Sequence, residues 1–330
     1  MLIVEITLAI FGLILLSAGG YVLVSGGVAL AKKLQISSMV IGLTVVAYGT
    51  STPELATSLT AAFNSHPDLI LGNIIGSNIS NIGMVIGISA IIATGLVIDG
   101  KKHNGLGMKR RVVTRWIPIM IFVSFLMVLL SFDGEISQID GVILVAGLIV
   151  FTIYIIKTAK KQIPVGDVID DEDPSGDMAI SRFKVNTIPK AVFVVVVGAV
   201  LLFVGGDFTV SGAVSIAQEL GISELVIGVV IVAIGTSLPE LITSVIAIRK
   251  KQMDIGIGNI VGSNIYNILL IGGISATLIG IPVSADIFSN YYIMIAFSLV
   301  LFIGFRKFIP QFVGIGLAIA FVAYLVSLLL

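Results

Sequence analysis

The chain has 330 residues, 57% of them hydrophobic and 12% charged, with 19 basic and 19 acidic side chains and a mean hydropathy of +1.14. A soluble domain carries about twice that charged fraction, and a net charge of zero gives no overall basic excess that would mark a nucleic-acid binder. The absence of Cys excludes disulfides and thiol chemistry.

Apolar runs long enough to cross a ~30 Å hydrocarbon core are predicted, in chain order, at 3–31, 37–63, 69–94, 113–131, 137–157, 187–216, 222–248, 254–280, 286–305 and 308–330. The first lacks a basic leader and stays apolar to about Ala31, so a retained span is expected rather than a signal peptide. Basic residues test this count. Lys32 and Lys33 follow span one; Lys101, Lys102, Lys109, Arg110, Arg111 and Arg115 lie around the loop after span three. Lys157, Lys160, Lys161, Arg182, Lys184 and Lys190 flank the loop after span five. Arg249, Lys250 and Lys251 follow span seven, and Arg306 and Lys307 follow span nine. All 19 basic residues therefore follow odd-numbered spans. The positive-inside rule puts those loops in the cytoplasm and both termini outside. Trp116, Tyr154, Tyr291 and Tyr292 lie near span ends and are expected to anchor at the interface.

The chain is also a duplication. GTSTPE (49–54) returns as GTSLPE (235–240), and GNIIGSNISN (72–81) as GNIVGSNIYN (258–267), at a constant offset of 186. The same offset maps Gly19, Gly20, Ser25 and Gly26 onto Gly205, Gly206, Ser211 and Gly212, and the alignment runs ungapped from about residue 12 to residue 93. Five spans per half is an odd number, so the second half enters from the opposite side. The expected architecture is an all-α membrane protein of ten helices in two inverted five-helix repeats, 1–157 and 187–330, with broken helices in spans two and seven. Such transporters bind their substrate near the midplane, where the repeats meet. The segment 158–186 joins the halves; its core DVIDDEDPSGD (167–177) reads as a solvated linker. As a calcium loop it fails, because the twelfth position counted from Asp171 is Arg182 where a Glu is needed.

Within each copy, Pro53 and Pro239 lack an N–H for the carbonyls of Gly49 and Gly235, which should break spans two and seven at mid-depth. Freed carbonyls at that depth need protein, a wet cavity or a cation. Thr50 and Glu54 share a helical face, with Ser51 beside them. Spans three and eight add stripes at every fourth residue, Asn73, Ser77 and Asn81, and Asn259, Ser263 and Asn267. Neither His66 nor His103 lies in a motif, so a soft-metal site is disfavoured, and an all-oxygen set with two carboxylates suits Ca²⁺ or Na⁺. Each piece has a plainer reading. Pro and Gly make kinks, Gly72-x-x-x-Gly76 and Gly258-x-x-x-Gly262 make packing faces, Ser and Thr bond their own backbone, and Asn73 and Asn259 sit away from the stripe centre. The glutamates resist it: a mid-membrane charge costs about 2.5–3.5 kcal/mol, and here that cost recurs at equivalent positions. Asp207 faces Tyr21 in the repeat alignment, so it reads as structural or interfacial.

These paired segments resemble the two α-repeats of the sodium/calcium exchanger family, within the cation/calcium antiporter superfamily, in its compact prokaryotic form. The resemblance covers essentially the whole chain. It implies an antiporter with Glu54 and Glu240 as central ligands and oxygens from Thr50 and Thr236. It also implies flanking sodium sites completed by Ser51, Ser77, Ser237 and Ser263, carbonyl ligands at Ala47 and Ala233, and Asn81 and Asn267 lining the middle. It implies Na⁺ and Ca²⁺ as substrates with no cofactor, a plasma-membrane location, and a single chain able to serve as the functional unit. Some relatives of that family carry an acid at the position of Asn267; here both repeats have Asn, so stoichiometry and potassium dependence stay open. Calcium/proton exchange and a cation channel remain alternatives. An intramembrane hydrolase is disfavoured, since no nucleophile–base pair accompanies the glutamates.

Overall fold

The computed structural model describes residues 2–64, 66–98, 101–102, 104–159, 185, 187–221 and 233–328. The acidic core of the linker and the first part of span seven, 222–232, lie outside the described residues. The long helices are α1 (Leu2–Leu34), α4 (Pro67–Ala93), α5 (Val112–Leu130), α6 (Gln138–Ala159), α7 (Ile188–Glu219), α10 (Met253–Ile279) and α11 (Ile287–Arg306). These seven are long and apolar enough to cross a membrane. The shorter ones are α2 (Ser38–Thr50), α3 (Thr52–Phe63), α8 (Ala233–Thr236), α9 (Leu238–Arg249) and α12 (Gln311–Ser327).

The proline breaks are present. Ser51 (φ −84°, ψ 8°) separates α2 from α3, and Ser237 (φ −88°, ψ 1°) separates α8 from α9. Each proline then opens the following helix, where a missing N–H costs nothing. The sequence pattern gave no hint of π-helical turns at Gly42–Val46, Asn81–Ile86, Val112–Trp116 and Asn267–Gly272. Two of them start on the repeat-equivalent asparagines Asn81 and Asn267. Such wide turns free backbone groups and recur at functional sites.

Helices α4 and α10 form the buried centre, whereas α1, α6 and α7 expose most of their length. Helices α1 and α7 pack antiparallel through glycines seven residues apart: Gly12, Gly19 and Gly26 on one, Gly198, Gly205 and Gly212 on the other. A β-carbon on Gly205 would stand 2.6 Å from Leu16 N, and one on Gly26 would stand 2.9 Å from Val195 N. The two backbones therefore touch nearly directly, the small-residue packing expected without a hydrophobic drive between helices in lipid. Gly258 and Gly262 do the same for α10 against α2, with Gly42 on the facing side.

The spanning elements are all helical, and among the described residues short strand pairs occur in the loops. Three two-stranded antiparallel pairs occur: β1 (Val97–Ile98) with β2 (Lys101–Lys102), β3 (Gly105–Gly107) with β6 (Phe308–Pro310), and β4 (Glu135–Ile136) with β5 (Ile281–Pro282). Loop ends near one another can pair their backbone groups where no helix continues to do so. These pairs sort the loops by face. The β3–β6 pair joins the loop before α5 to the one before α12, and Lys109 ion-pairs Asp254 at 2.9 Å beside them. That side is called the basic face. The β4–β5 pair lies on the opposite face, where Gln138 Nε2 also donates to Leu278 O at 3.2 Å.

Two expected interfacial anchors are internal instead. Trp116 is buried edge-on to Phe151 and Tyr154, with the Arg115 guanidinium 5.6 Å from its ring. Tyr291 is buried with its hydroxyl 2.9 Å from Ser131 Oγ. The Tyr291 hydroxyl finds its hydrogen-bond partner within the bundle, so its burial costs that polar atom little. Tyr154 and Tyr292 are exposed as expected.

Candidate cation site

The two breaks bring both motifs to the centre. Glu54 and Glu240 are each 1% exposed. Contacts link the two halves as well as the motifs within each half. Ser51 Oγ donates to Glu240 Oε1 at 3.1 Å, and Ser263 Oγ donates to the same oxygen at 3.3 Å. Thr50 Oγ1 donates to Asn259 Oδ1 at 2.9 Å and lies 3.4 Å from Ser263 Oγ. Asn267 Nδ2 donates to Asn78 Oδ1 at 3.0 Å. Helix α3, which carries Glu54, packs against the π turn that begins at Asn267; α9, which carries Glu240, packs against the one that begins at Asn81.

The arrangement is not fully symmetric. The repeat counterparts of Glu240's two donors are Ser237 and Ser77. Ser237 Oγ has no partner among the described residues, and Ser77 Oγ donates to Asn73 Oδ1 at 3.4 Å. Ala47 O accepts from Ser51 N at 3.0 Å and lies 3.3 Å from Thr50 Oγ1, so this carbonyl is engaged within its own turn. Ala233 opens α8. Thr236 is half-buried and lines a cavity, whereas Thr50 is fully buried.

Asn73 and Asn259 hold the glutamate helices. Asn73 Nδ2 donates to Glu54 O at 3.0 Å and Ser58 Oγ at 2.8 Å; Asn259 Nδ2 donates to Glu240 O at 3.5 Å and Ser244 Oγ at 3.1 Å. Ser58 and Ser244, and Asn78 and Asn264, escaped the every-fourth-residue stripe. Their signal was available nevertheless, since both pairs recur at the offset of 186 in helices otherwise apolar. Asn78 Nδ2 reaches Asn264 O at 3.3 Å, which ties the two central helices.

What remains is a set of oxygens without donors. Glu54 Oε2, Glu240 Oε2, Asn81 Oδ1, Asn267 Oδ1 and Ser237 Oγ are buried and unpartnered among the described residues. A buried unpaired polar atom costs about 1–3 kcal/mol, and a charged one more. Oxygen-only clustering of this kind matches the ligand preference of hard cations. No group of three or more His, Cys, Asp or Glu suited to a resident metal occurs among the described residues.

A cavity of about 430 Å³ approaches the breaks from the opposite face. Asn64 and His66 mark its mouth, Thr57, Thr60 and Asp207 its walls, and Pro53, Gly235, Thr236 and Pro239 its floor. The repeat-equivalent route from the basic face is packed shut. A β-carbon on Gly20 would meet Ile246 at 3.0 Å and Ile242 at 3.1 Å, whereas its counterpart on Gly206 would meet only Pro239, at 3.8 Å. Thr57 is exposed, yet its counterpart Thr243 is buried with an unpartnered hydroxyl.

Apolar spanning helices around a buried oxygen cage, reached by a cleft from one side, define a membrane ion transporter rather than an enzyme. Comparison with known proteins agrees. The family model described as "Sodium/calcium exchanger protein" matches residues 4–157 and 190–330. The chain is 31% identical to the sodium/calcium exchanger MaX1 of Methanosarcina acetivorans, over 99% of both proteins. It is 33% identical to the putative antiporter CaxA of Alkalimonas amylolytica, over 98% of both. A solved structure of the sodium-calcium exchanger NCX_Mj superposes with a TM-score of 0.79 at 30% identity, covering 98% of each chain. The chain belongs to the sodium/calcium exchanger family, among its compact prokaryotic members.

Proposed function

We propose that this protein exchanges Na⁺ for Ca²⁺ across the plasma membrane by alternating access to one midplane site. The observation that carries this reading is the set of unpartnered oxygens on Glu54, Glu240, Asn81, Asn267 and Ser237. Two carboxylates neutralise one Ca²⁺, and the hydroxyls and carbonyls around them suit Na⁺ equally. The two loads compete for Glu54 and Glu240, which obliges one to leave before the other binds. Thr50, Thr236, Ser51, Ser77, Ser263 and the carbonyls of Ala47 and Ala233 complete the set.

The framework proposed for this is ten spans in two inverted halves, 1–157 and 187–330, joined by the cytoplasmic acidic segment 158–186. The antiparallel course of α1 and α7, which are equivalent in the repeat, supports inversion. The basic residues support a cytoplasmic basic face and external termini. The cleft then opens outside, and the protein stands ready to receive external ions. With Na⁺ entering down its gradient, Ca²⁺ leaves. Exchange of about three Na⁺ for one Ca²⁺ moves net charge and responds to voltage by about 2.3 kcal/mol per charge per 100 mV.

Ca²⁺ flux in proteoliposomes under separate Na⁺, K⁺ and H⁺ gradients tests the reading. Flux should follow the Na⁺ gradient and be voltage-sensitive; flux driven by H⁺ alone would replace this assignment with calcium/proton exchange. Sidedness has its own check. The chain contains no Cys, so single cysteines report cleanly. Thr57→Cys should react from outside with a membrane-impermeant thiol reagent at least about tenfold faster than Thr243→Cys reacts from the cytoplasmic side, a population bias of about 1.4 kcal/mol. Equal rates would contradict the outward-open assignment.

A further inference from the structure

Asp207 has no role in the central site. It lies well inside α7, between Lys190 and Glu219 in an otherwise apolar run, where a carboxylate is disfavoured. Its side chain is exposed to the cleft and makes no hydrogen bond or ion pair among the described residues. The cleft around it offers Thr57, Thr60, Asn64 and His66 above and Thr236 below, and its floor adjoins the residues that precede both glutamates. A cation moving from the mouth to the site passes this carboxylate.

The other end of the molecule carries the opposite charge. The repeat counterpart of Asp207 is Tyr21, and the counterpart of Asn64 is Lys250. The Lys250 ammonium lies 3.4 Å from the Tyr21 ring centroid and donates to Ser25 Oγ at 2.8 Å. One route thus carries an anion and the other a cation, although the cage between them is built from matching residues. A carboxylate set in a cleft with low-dielectric walls focuses field lines and raises local cation concentration, and its pull on a divalent ion is twice that on a monovalent one.

We propose that Asp207 is a capture site for Ca²⁺ in the external cleft, a third carboxylate on the ion path that holds a hydrated divalent ion before it reaches Glu54 and Glu240. Thr57, Thr60 and Asn64 face the hydration shell. The inference rests on the exchange reading above for its direction of travel, but binding at Asp207 can be measured without transport.

The first experiment is therefore a protection assay in a Glu240→Gln background, where the central site is disabled. Thr60→Cys is modified with an impermeant thiol reagent with and without Ca²⁺. Ca²⁺ should slow modification when Asp207 is present, leave it unchanged in Asp207→Asn, and slow it again in Asp207→Glu, which restores the charge. Equal protection in Asp207→Asn overturns the proposal. The second experiment measures half-saturation for Ca²⁺ at each face, in right-side-out and inside-out vesicles. Asp207→Asn should raise the external value by about 3- to 10-fold at low salt, with a smaller change for Na⁺ and none at the cytoplasmic face. A shift of the same size at both faces, or none at either, overturns it. Failure of the parent protein to exchange Na⁺ for Ca²⁺ would instead refute the exchange reading and leave the protection result to decide on Asp207.

Discussion

Glu240→Gln and Glu54→Gln should each abolish sodium-driven uptake of radiolabelled Ca²⁺ in sealed vesicles. The expected loss is large because a divalent ion among buried oxygens depends on full charge balance. Removing one member of a buried charge pair costs about 3–5 kcal/mol, or roughly 10²–10⁴-fold in affinity. Both carboxylates are almost fully shielded from water, so no solvent compensates. A neutral donor counts for less: Ser51→Ala removes one hydrogen bond to Glu240 Oε1, worth about 1.5–3 kcal/mol for a charged acceptor. Flux should therefore fall in the order Glu variants, then Ser51→Ala. Near-normal flux in both glutamine variants, in protein that still elutes as a single species, would remove these residues from the site.

Gly262→Ala should lower both stability and flux. Helix propensity alone favours the change by about 1 kcal/mol. Packing opposes it. The new methyl would lie 2.7 Å from Ala47 Cβ and 2.9 Å from Leu43 O, and the latter is backbone that cannot swing away. Overpacking of this kind costs about 1–3 kcal/mol, so the clash outweighs the propensity. The wedge also pushes α2 off α10, along the line of the Thr50–Asn259 hydrogen bond. Gly316→Ala is the control: it has no described atom within 4 Å of the added carbon and sits on an exposed helix face. It should raise the melting temperature slightly or leave it unchanged. A Gly262→Ala protein as stable and active as its parent would show that α2 and α10 can separate freely.

The sequence revealed the parts that recur. Repetition at the offset of 186 exposed both glutamates, both breaks and the glycine faces, because duplicated oddities in apolar helices are hard to explain by chance. It was less informative about geometry. Asn73 and Asn259 looked like candidate ligands or bystanders, and only their hydrogen bonds to Glu54 O and Glu240 O show them bracing the broken helices. Asn78 was passed over because it sits one position past Ser77, off the Asn73–Ser77–Asn81 stripe, in the regular helix that precedes the π turn. Trp116 and Tyr291 were misplaced for a similar reason, since position near a span end does not say which way a ring points. The difference between Ser51, bonded to Glu240, and its twin Ser237, bonded to nothing described, is invisible to a repeat alignment that treats the halves as equal.

The glycine-lined contact of α1 with α7 has a mechanical consequence. Backbone lies against backbone every seventh residue on each helix, with little side-chain interlock to slip, so the two helices behave as one beam. One end of that beam rests on α9 and shuts the basic-face route; the other stands clear of α3 and leaves the cleft open. A rigid beam cannot lift at both ends. In the proposed exchange cycle, movement that seats α7 on α3 would carry α1 off α9, so that no continuous pore forms. A transporter built this way conserves the energy of one ion gradient in the other, because the geometry that admits an ion is the same geometry that bars the exit.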